Sequence, residues 1–190
     1  MKKSITMFLS LAAVATFASP VVARAQVSNP LKFTVFGGAA LPSGSTSDGL
    51  KTGYNVGGAV DLRAPLMPLG LRGELTYSKL DAKDNGGLQN VNMSDFGGNA
   101  NAVWWLPSAG SPLTAYFTGG PTYTRIAFNA SNGGSTGSAS DNRWGFNVGA
   151  GIDFALSGLS TRLDVRYRQI SMGNGADSFK TIPITFGITF

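Results

Sequence analysis

Neither cysteine nor histidine occurs in the 190-residue chain, and charged residues make up only 13% of it. Without cysteine there is no disulfide, thiolate nucleophile or zinc–thiolate centre. Without histidine the usual base near neutral pH is missing, and with it most triads, dyads and histidine-containing metal sites. Ordinary soluble domains carry about twice this charge content, roughly 25%. The deficit disfavours a helical soluble protein, whose exposed faces hold many Lys and Glu. Disorder fits no better, because 43% of the residues are hydrophobic and the formal net charge is only +5. What fills the sequence instead is glycine, 26 residues of it, together with small neutral polar residues.

Residues 1–25 read as a cleavable signal peptide. Lys2 and Lys3 form a basic start, Ile5–Phe17 an apolar stretch, and Ala23-Arg24-Ala25 places small residues at −3 and −1 of a cleavage site. The apolar run is shorter than the ~20 residues a spanning helix needs. Removing Lys2, Lys3 and Arg24 lowers the 15 basic residues to 12, against 10 acidic ones. The basic excess therefore belongs largely to the leader and gives no argument for a nucleic-acid partner. The mature unit is a single domain, residues 26–190.

Within it, apolar and non-apolar residues alternate with period two, and turn residues punctuate the runs. That pattern predicts antiparallel strands. Eight are read: Lys32–Leu41, Gly53–Arg63, Leu71–Leu80, Ser94–Leu106, Leu113–Arg125, Arg143–Ala155, Ser160–Gln169 and Phe179–Phe190. Most are close to the ~9–11 residues a tilted strand needs to cross a bilayer. Connections 64–70, 107–112 and 156–159 are short, while 42–52, 81–93, 126–142 and 170–178 are longer or more polar. Asn129–Ser140 is low in complexity and reads as a mobile loop. Short turns at one end and long loops at the other describe an all-β, eight-stranded antiparallel up-and-down barrel.

The two faces of each strand differ sharply. In the seventh, Thr161, Leu163, Val165 and Tyr167 oppose Arg162, Asp164, Arg166 and Arg168. Over all strands the polar face collects Asp61, Arg63, Arg72, Glu74, Asp95, Asp153, Arg162, Asp164, Arg166 and Arg168, five of each sign. Alternation alone leaves the orientation open. A soluble barrel turns these charges to water and a membrane barrel turns them inward. Three features favour the membrane form. The charges are mainly Arg and carboxylate, suited to bidentate pairing in a confined space. Gly, Ala and Thr beside them suit a narrow interior. Aromatics gather at strand ends on the apolar face, Trp104, Phe154 and Phe190 at one rim and Tyr54, Tyr77, Tyr123, Trp144 and Tyr167 at the other, as interfacial girdles do. Turning the seventh strand by one residue would put four charges into lipid, on the order of 10 kcal/mol.

On these residues the chain resembles the small outer-membrane β-barrels of Gram-negative bacteria, the OmpA-like and OmpX-like, porin-family barrel domains. The resemblance implies a transmembrane barrel in the bacterial cell outer membrane, with outer-membrane lipids around it. It also implies recognition by the barrel-assembly machinery through the last strand, whose alternating Ile184, Phe186, Ile188 and terminal Phe190 match the family's assembly signal. Pro183 departs from that pattern and is expected at a bulge.

No catalytic, cofactor or metal site stands out. The loop carboxylates Asp48, Asp81, Asp84, Asp141 and Asp177 lie among glycines and read as solvated charges. The Gly-Gly pairs recur within strands, where glycine permits close packing. The reading favoured is a non-enzymatic structural barrel with a charge-plugged lumen and an extracellular ligand or partner at loops 42–52, 81–93, 126–142 or 170–178. Two others stand beside it: a narrow pore or conduit for small or hydrophobic molecules, and a secreted soluble barrel that binds an apolar ligand inside. For the leader, the expected outcome is cleavage after Ala25, so that mass analysis of the protein from membranes finds a chain beginning at Gln26.

Overall fold

A computed structural model describes residues 30–63, 67–83, 91–107, 111–132, 135–156, 159–173 and 177–190. The predicted leader lies outside them. The strands are β1 (Leu31–Pro42), β2 (Gly53–Arg63), β3 (Leu69–Asp81), β4 (Val91–Trp105), β5 (Leu113–Asn132), β6 (Ser135–Leu156), β7 (Leu159–Ile170) and β8 (Phe179–Thr189). One helical turn, α1 (Thr46–Gly49), sits between β1 and β2. Each strand pairs antiparallel with the next, and β8 returns to β1, closing the barrel. The closure runs from Thr34↔Thr189 to Pro42↔Thr181. At its end the Phe190 N–H donates to the Phe33 carbonyl at 2.8 Å.

Burial settles which face is which. Leu163 and Val165 are each 43% exposed, while the intervening Asp164 and the preceding Arg162 are 3% and 4% exposed. The same inversion holds around the wall: Phe33, Val35, Val60, Leu75, Phe117, Val148 and Phe186 face out, and Thr34, Asp61, Glu74, Thr118, Asn147 and Thr185 face in. A soluble barrel with an apolar interior is thereby excluded. Outward aromatics meet in cross-strand pairs. Tyr54–Tyr77, Tyr123–Trp144 and Phe146–Tyr167 lie towards the long connections, with ring centroids 6.1, 4.8 and 6.3 Å apart, and Trp104–Phe117 at 6.2 Å lies towards the short turns. Such pairs each add about 0.5–1.5 kcal/mol beyond area burial.

Two expectations need correction. Segment 126–142 is not a plain loop: β5 and β6 stay in register out to Asn132↔Ser135, forming a ribbon that rises past the end of β7 at Gly145↔Ile170. The low-complexity composition hides this because it carries no apolar alternation. Extending a hairpin already formed closes no new loop, so each added pair is cheap in chain entropy. Second, Pro183 requires no bulge. The β7–β8 ladder runs from Ser160↔Thr189 to Val165↔Ile184, skips Pro183 and resumes at Arg168↔Thr181 in the same register. Pro121 leaves a matching gap between Asn99↔Thr122 and Ala102↔Gly119 on the β4–β5 side. A missing N–H removes ladder bonds without displacing the strand.

Two tests follow from this wall. Leu163→Arg on the outer face should lower unfolding stability in lipid vesicles by about 2–4 kcal/mol if the site lies near the bilayer midplane. Deleting residues 129–140 should leave the heat-modifiable folded band on gels intact, because the cylinder closes below the ribbon.

Candidate functional site in the lumen

The lumen fills in three layers, each dictated by which residues occupy the inward phase of the strands. At the long-connection end the layer is apolar. Ala40, Leu80, Met93, Ile126, Ile170 and Phe179 form a buried cluster, with Leu50 and Met172 packed against it. Pattern reading missed this cap because polar loops were expected there. Its signal was available: Ile126 and Phe179 keep the inward phase of Thr124 and Thr181.

The middle layer is ionic. Register places Asp61 opposite Arg72 and Asp153 opposite Arg162, while β7 supplies Arg162, Asp164, Arg166 and Arg168 on successive inward positions. They connect as an alternating chain. Arg162 Nε donates to Asp153 Oδ1 at 2.7 Å, and its Nη1 stands 2.9 Å from Asp61 Oδ2. Arg72 Nε donates to Asp61 Oδ1 at 2.5 Å, and its Nη1 lies 3.7 Å from Asp164 Oδ2. Arg166 Nε donates to Asp164 Oδ1 at 2.5 Å, and both of its terminal nitrogens grip Glu74, Nη2 to Oε1 at 2.7 Å. Asn99 and Asn101 complete the Glu74 shell at 3.3 and 3.2 Å. A separate pair, Arg168 Nη2 to Asp95 Oδ2 at 2.7 Å, lies nearer the apolar cap. Charge-assisted, partly bidentate bonds of this kind are what make enclosed charges tolerable.

Towards the short-turn end the lumen becomes aromatic. Val103, Trp105 and Tyr116 cluster there. The Tyr116 hydroxyl donates to Asp164 Oδ2 at 2.5 Å, and its ring lies 4.7 Å from the Arg72 guanidinium and 5.4 Å from that of Arg162. Trp105 Nε1 approaches Asp153 Oδ2 at 3.4 Å. Glycine makes room for both kinds of side chain. A Cβ at Gly151 would stand 2.3 Å from the Tyr116 hydroxyl, and one at Gly149 would stand 2.6 Å from Arg166 Cγ. The sequence reading names neither Tyr116 nor Trp105; Trp105 shares the inward phase of Asn99 and Asn101, and Tyr116 that of Thr118 and Thr122.

Of the ten residues expected to pair in the lumen, Arg63 does not. It is exposed at the end of β2, with its guanidinium over the Trp105 ring at 4.8 Å, and no carboxylate of the described residues pairs with it. Its inward phase is right, but at the strand's end it has passed the last lumenal acid. The enclosed set is therefore five carboxylates against four guanidiniums. The surplus is eased where Asp153, its side chain 20% exposed, faces the mouth near Trp105. Ile184, Phe186 and Ile188 stand outward on β8, and Phe190 follows them at the rim. Asp48, Asp81 and Asp177 are exposed, and Asp141 pairs with Arg143. Asp84 lies outside the described residues.

A closed eight-stranded cylinder that is greasy outside and ionic within fits one setting. The sequence matches the model of the outer membrane protein beta-barrel domain over residues 9–190. The chain belongs to the outer-membrane β-barrel family. Its place is accordingly the bacterial outer membrane, where barrels of this type keep short turns on the periplasmic side and longer connections outside the cell. Among solved structures it is similar to Neisserial surface protein A, NspA, at 17% identity and a TM-score of 0.63, covering 86% of this chain and 98% of that one. It is also similar to a major outer membrane protein from Thermus thermophilus, at 14% identity and a TM-score of 0.60, covering 85% and 99%. At these identities the likeness concerns the fold. No curated protein matches the sequence.

In this outer-membrane barrel, removing Arg166 takes from Glu74 its guanidinium partner and leaves Asp164 with the more distant Arg72, at 3.7 Å. Arg166→Met should therefore cost about 3–5 kcal/mol of unfolding free energy in vesicles. Adding Glu74→Gln to that variant should recover part of the loss, because the carboxylate left without its guanidinium is then gone.

Proposed function

We propose that this barrel is a closed, non-catalytic wall element of the outer membrane, with structural weight in the envelope and extracellular segments that serve as contact points. The observation that carries the reading is the layered filling of the lumen, which leaves a central pocket of about 30 Å³: an apolar cap outside, a chain of ion pairs in the middle, and Trp105 and Tyr116 at the periplasmic mouth. In a barrel of eight strands the interior is only wide enough for side chains. Ions meeting an apolar layer backed by paired charges find no continuous path through the bore. The absence of His and Cys from the whole sequence supports a non-enzymatic role. The β5–β6 ribbon and the connections 42–52, 81–93 and 170–178 are the surfaces offered to partners, since segments carried on a rigid scaffold are natural binding positions. The outward row Ile184, Phe186, Ile188 with terminal Phe190 is the feature offered to the assembly machinery.

Single-channel recording from the refolded mature protein in planar bilayers tests the closed lumen. The expected record shows no reproducible unitary steps. A stable open level in the intact protein overturns the reading in favour of a pore.

A further inference from the structure

We infer that the middle of the lumen contains a built hydration site for two ordered waters, between the Arg168–Asp95 pair and the Arg166 cluster. A cavity of about 30 Å³ lies there. A water needs roughly 10–15 Å³ of such space, so the volume suits two. Three polar atoms on its lining have no partner among the described residues: Thr76 Oγ1, Asn147 Oδ1 and Arg168 Nε. Their residues are 7%, 3% and 4% exposed, too deep for bulk solvent to serve them. Two of them are fixed by the other end of their side chain. Arg168 is held by Asp95. The Asn147 amide nitrogen is committed to Asn101 Oδ1 at 2.8 Å and Thr122 Oγ1 at 3.1 Å, which leaves its oxygen pointing elsewhere.

The chemistry of the three selects the occupant. Arg168 Nε–H demands an acceptor, Asn147 Oδ1 demands a donor, and the Thr76 hydroxyl can play either part. A halide has no proton to give Asn147. A metal cation has no lone pair for Arg168. Water does both, and an unmade bond on a buried polar atom costs about 1–3 kcal/mol, so three such atoms favour filling the site. Pro183 strengthens the case from the wall: it lines the same cavity at the point where the β7–β8 ladder is interrupted. Because the apolar cap closes the lumen above and the aromatic layer narrows it below, these waters are structural, enclosed as the barrel folds.

Crystals of the refolded mature barrel, diffracting well enough to show ordered solvent, test the inference. Two density peaks are expected, each within hydrogen-bonding distance of at least two of the three atoms. Crystals grown in bromide should show no anomalous signal at either position. In Thr76→Val, where a methyl group replaces the hydroxyl at nearly constant size, at least one peak should vanish. A protein group bonded to Arg168 Nε, an empty cavity, a bromide signal, or an unchanged pair of peaks in the variant overturns the assignment. Should the variant fail to fold, the unmodified protein still decides between these outcomes.

Discussion

Hydrocarbon offers no hydrogen bonds, and this one constraint organises the molecule. Backbone groups at membrane depth have only one another, so the sheet has to close and β8 has to find β1. The same constraint fixes the faces. With lipid outside, the alternation of a strand can place its Arg and Asp only towards the axis, where each needs a partner of opposite sign. Eight strands leave a bore that side chains fill, so the partners meet across it instead of reaching water. Fold and lumen are thus one solution to one problem. The Asp153–Arg162–Asp61–Arg72–Asp164–Arg166–Glu74 chain joins four carboxylates through three guanidiniums drawn from β2, β3, β6 and β7.

The layers above and below this chain have a consistent electrostatic logic. Near the cell exterior, the strands stop offering charge and offer Leu80, Ile126, Ile170 and Phe179 inward, so the ionic region is shielded from outside water. At the periplasmic end, aromatic rings lie against guanidiniums and narrow the bore, while the Tyr116 hydroxyl and the Trp105 N–H turn to Asp164 and Asp153 of the same chain. The one carboxylate in excess of the enclosed guanidiniums sits in a seven-member chain that ends at Asp153, the acid most open to solvent. A surplus charge is cheapest where water can reach it.

The architecture was largely legible in the sequence. Eight alternating runs, unequal connections and a face rich in Arg and Asp lead to an inside-out cylinder, because period-two patterning reports directly which side of a strand is which. Membership of the lumen was legible for the same reason, and nine of the ten expected residues lie there. What patterning does not report is height along the axis or the identity of the partner. Arg63 has the inward phase yet sits beyond the last acid, over Trp105. Trp105 and Tyr116, outside the eight aromatics expected at the rims, fall inward, and the adjacent Trp104 and Trp105 point opposite ways. The ribbon of β5 and β6 escaped notice because residues 129–140 carry no apolar rhythm, and pairing there is inherited from the hairpin below.

The two adjacent tryptophans allow the inside-out packing to be measured. In variants that retain Trp104 alone or Trp105 alone, with phenylalanine at the other two tryptophan positions, fluorescence in vesicles of brominated lipid reports contact with acyl chains. Trp104, 48% exposed on the outer wall, should be strongly quenched, and Trp105, 4% exposed within the lumen, should keep its emission. Equal quenching of the two, or quenching of Trp105 alone, would contradict an ionic interior enclosed by a lipid-facing apolar wall.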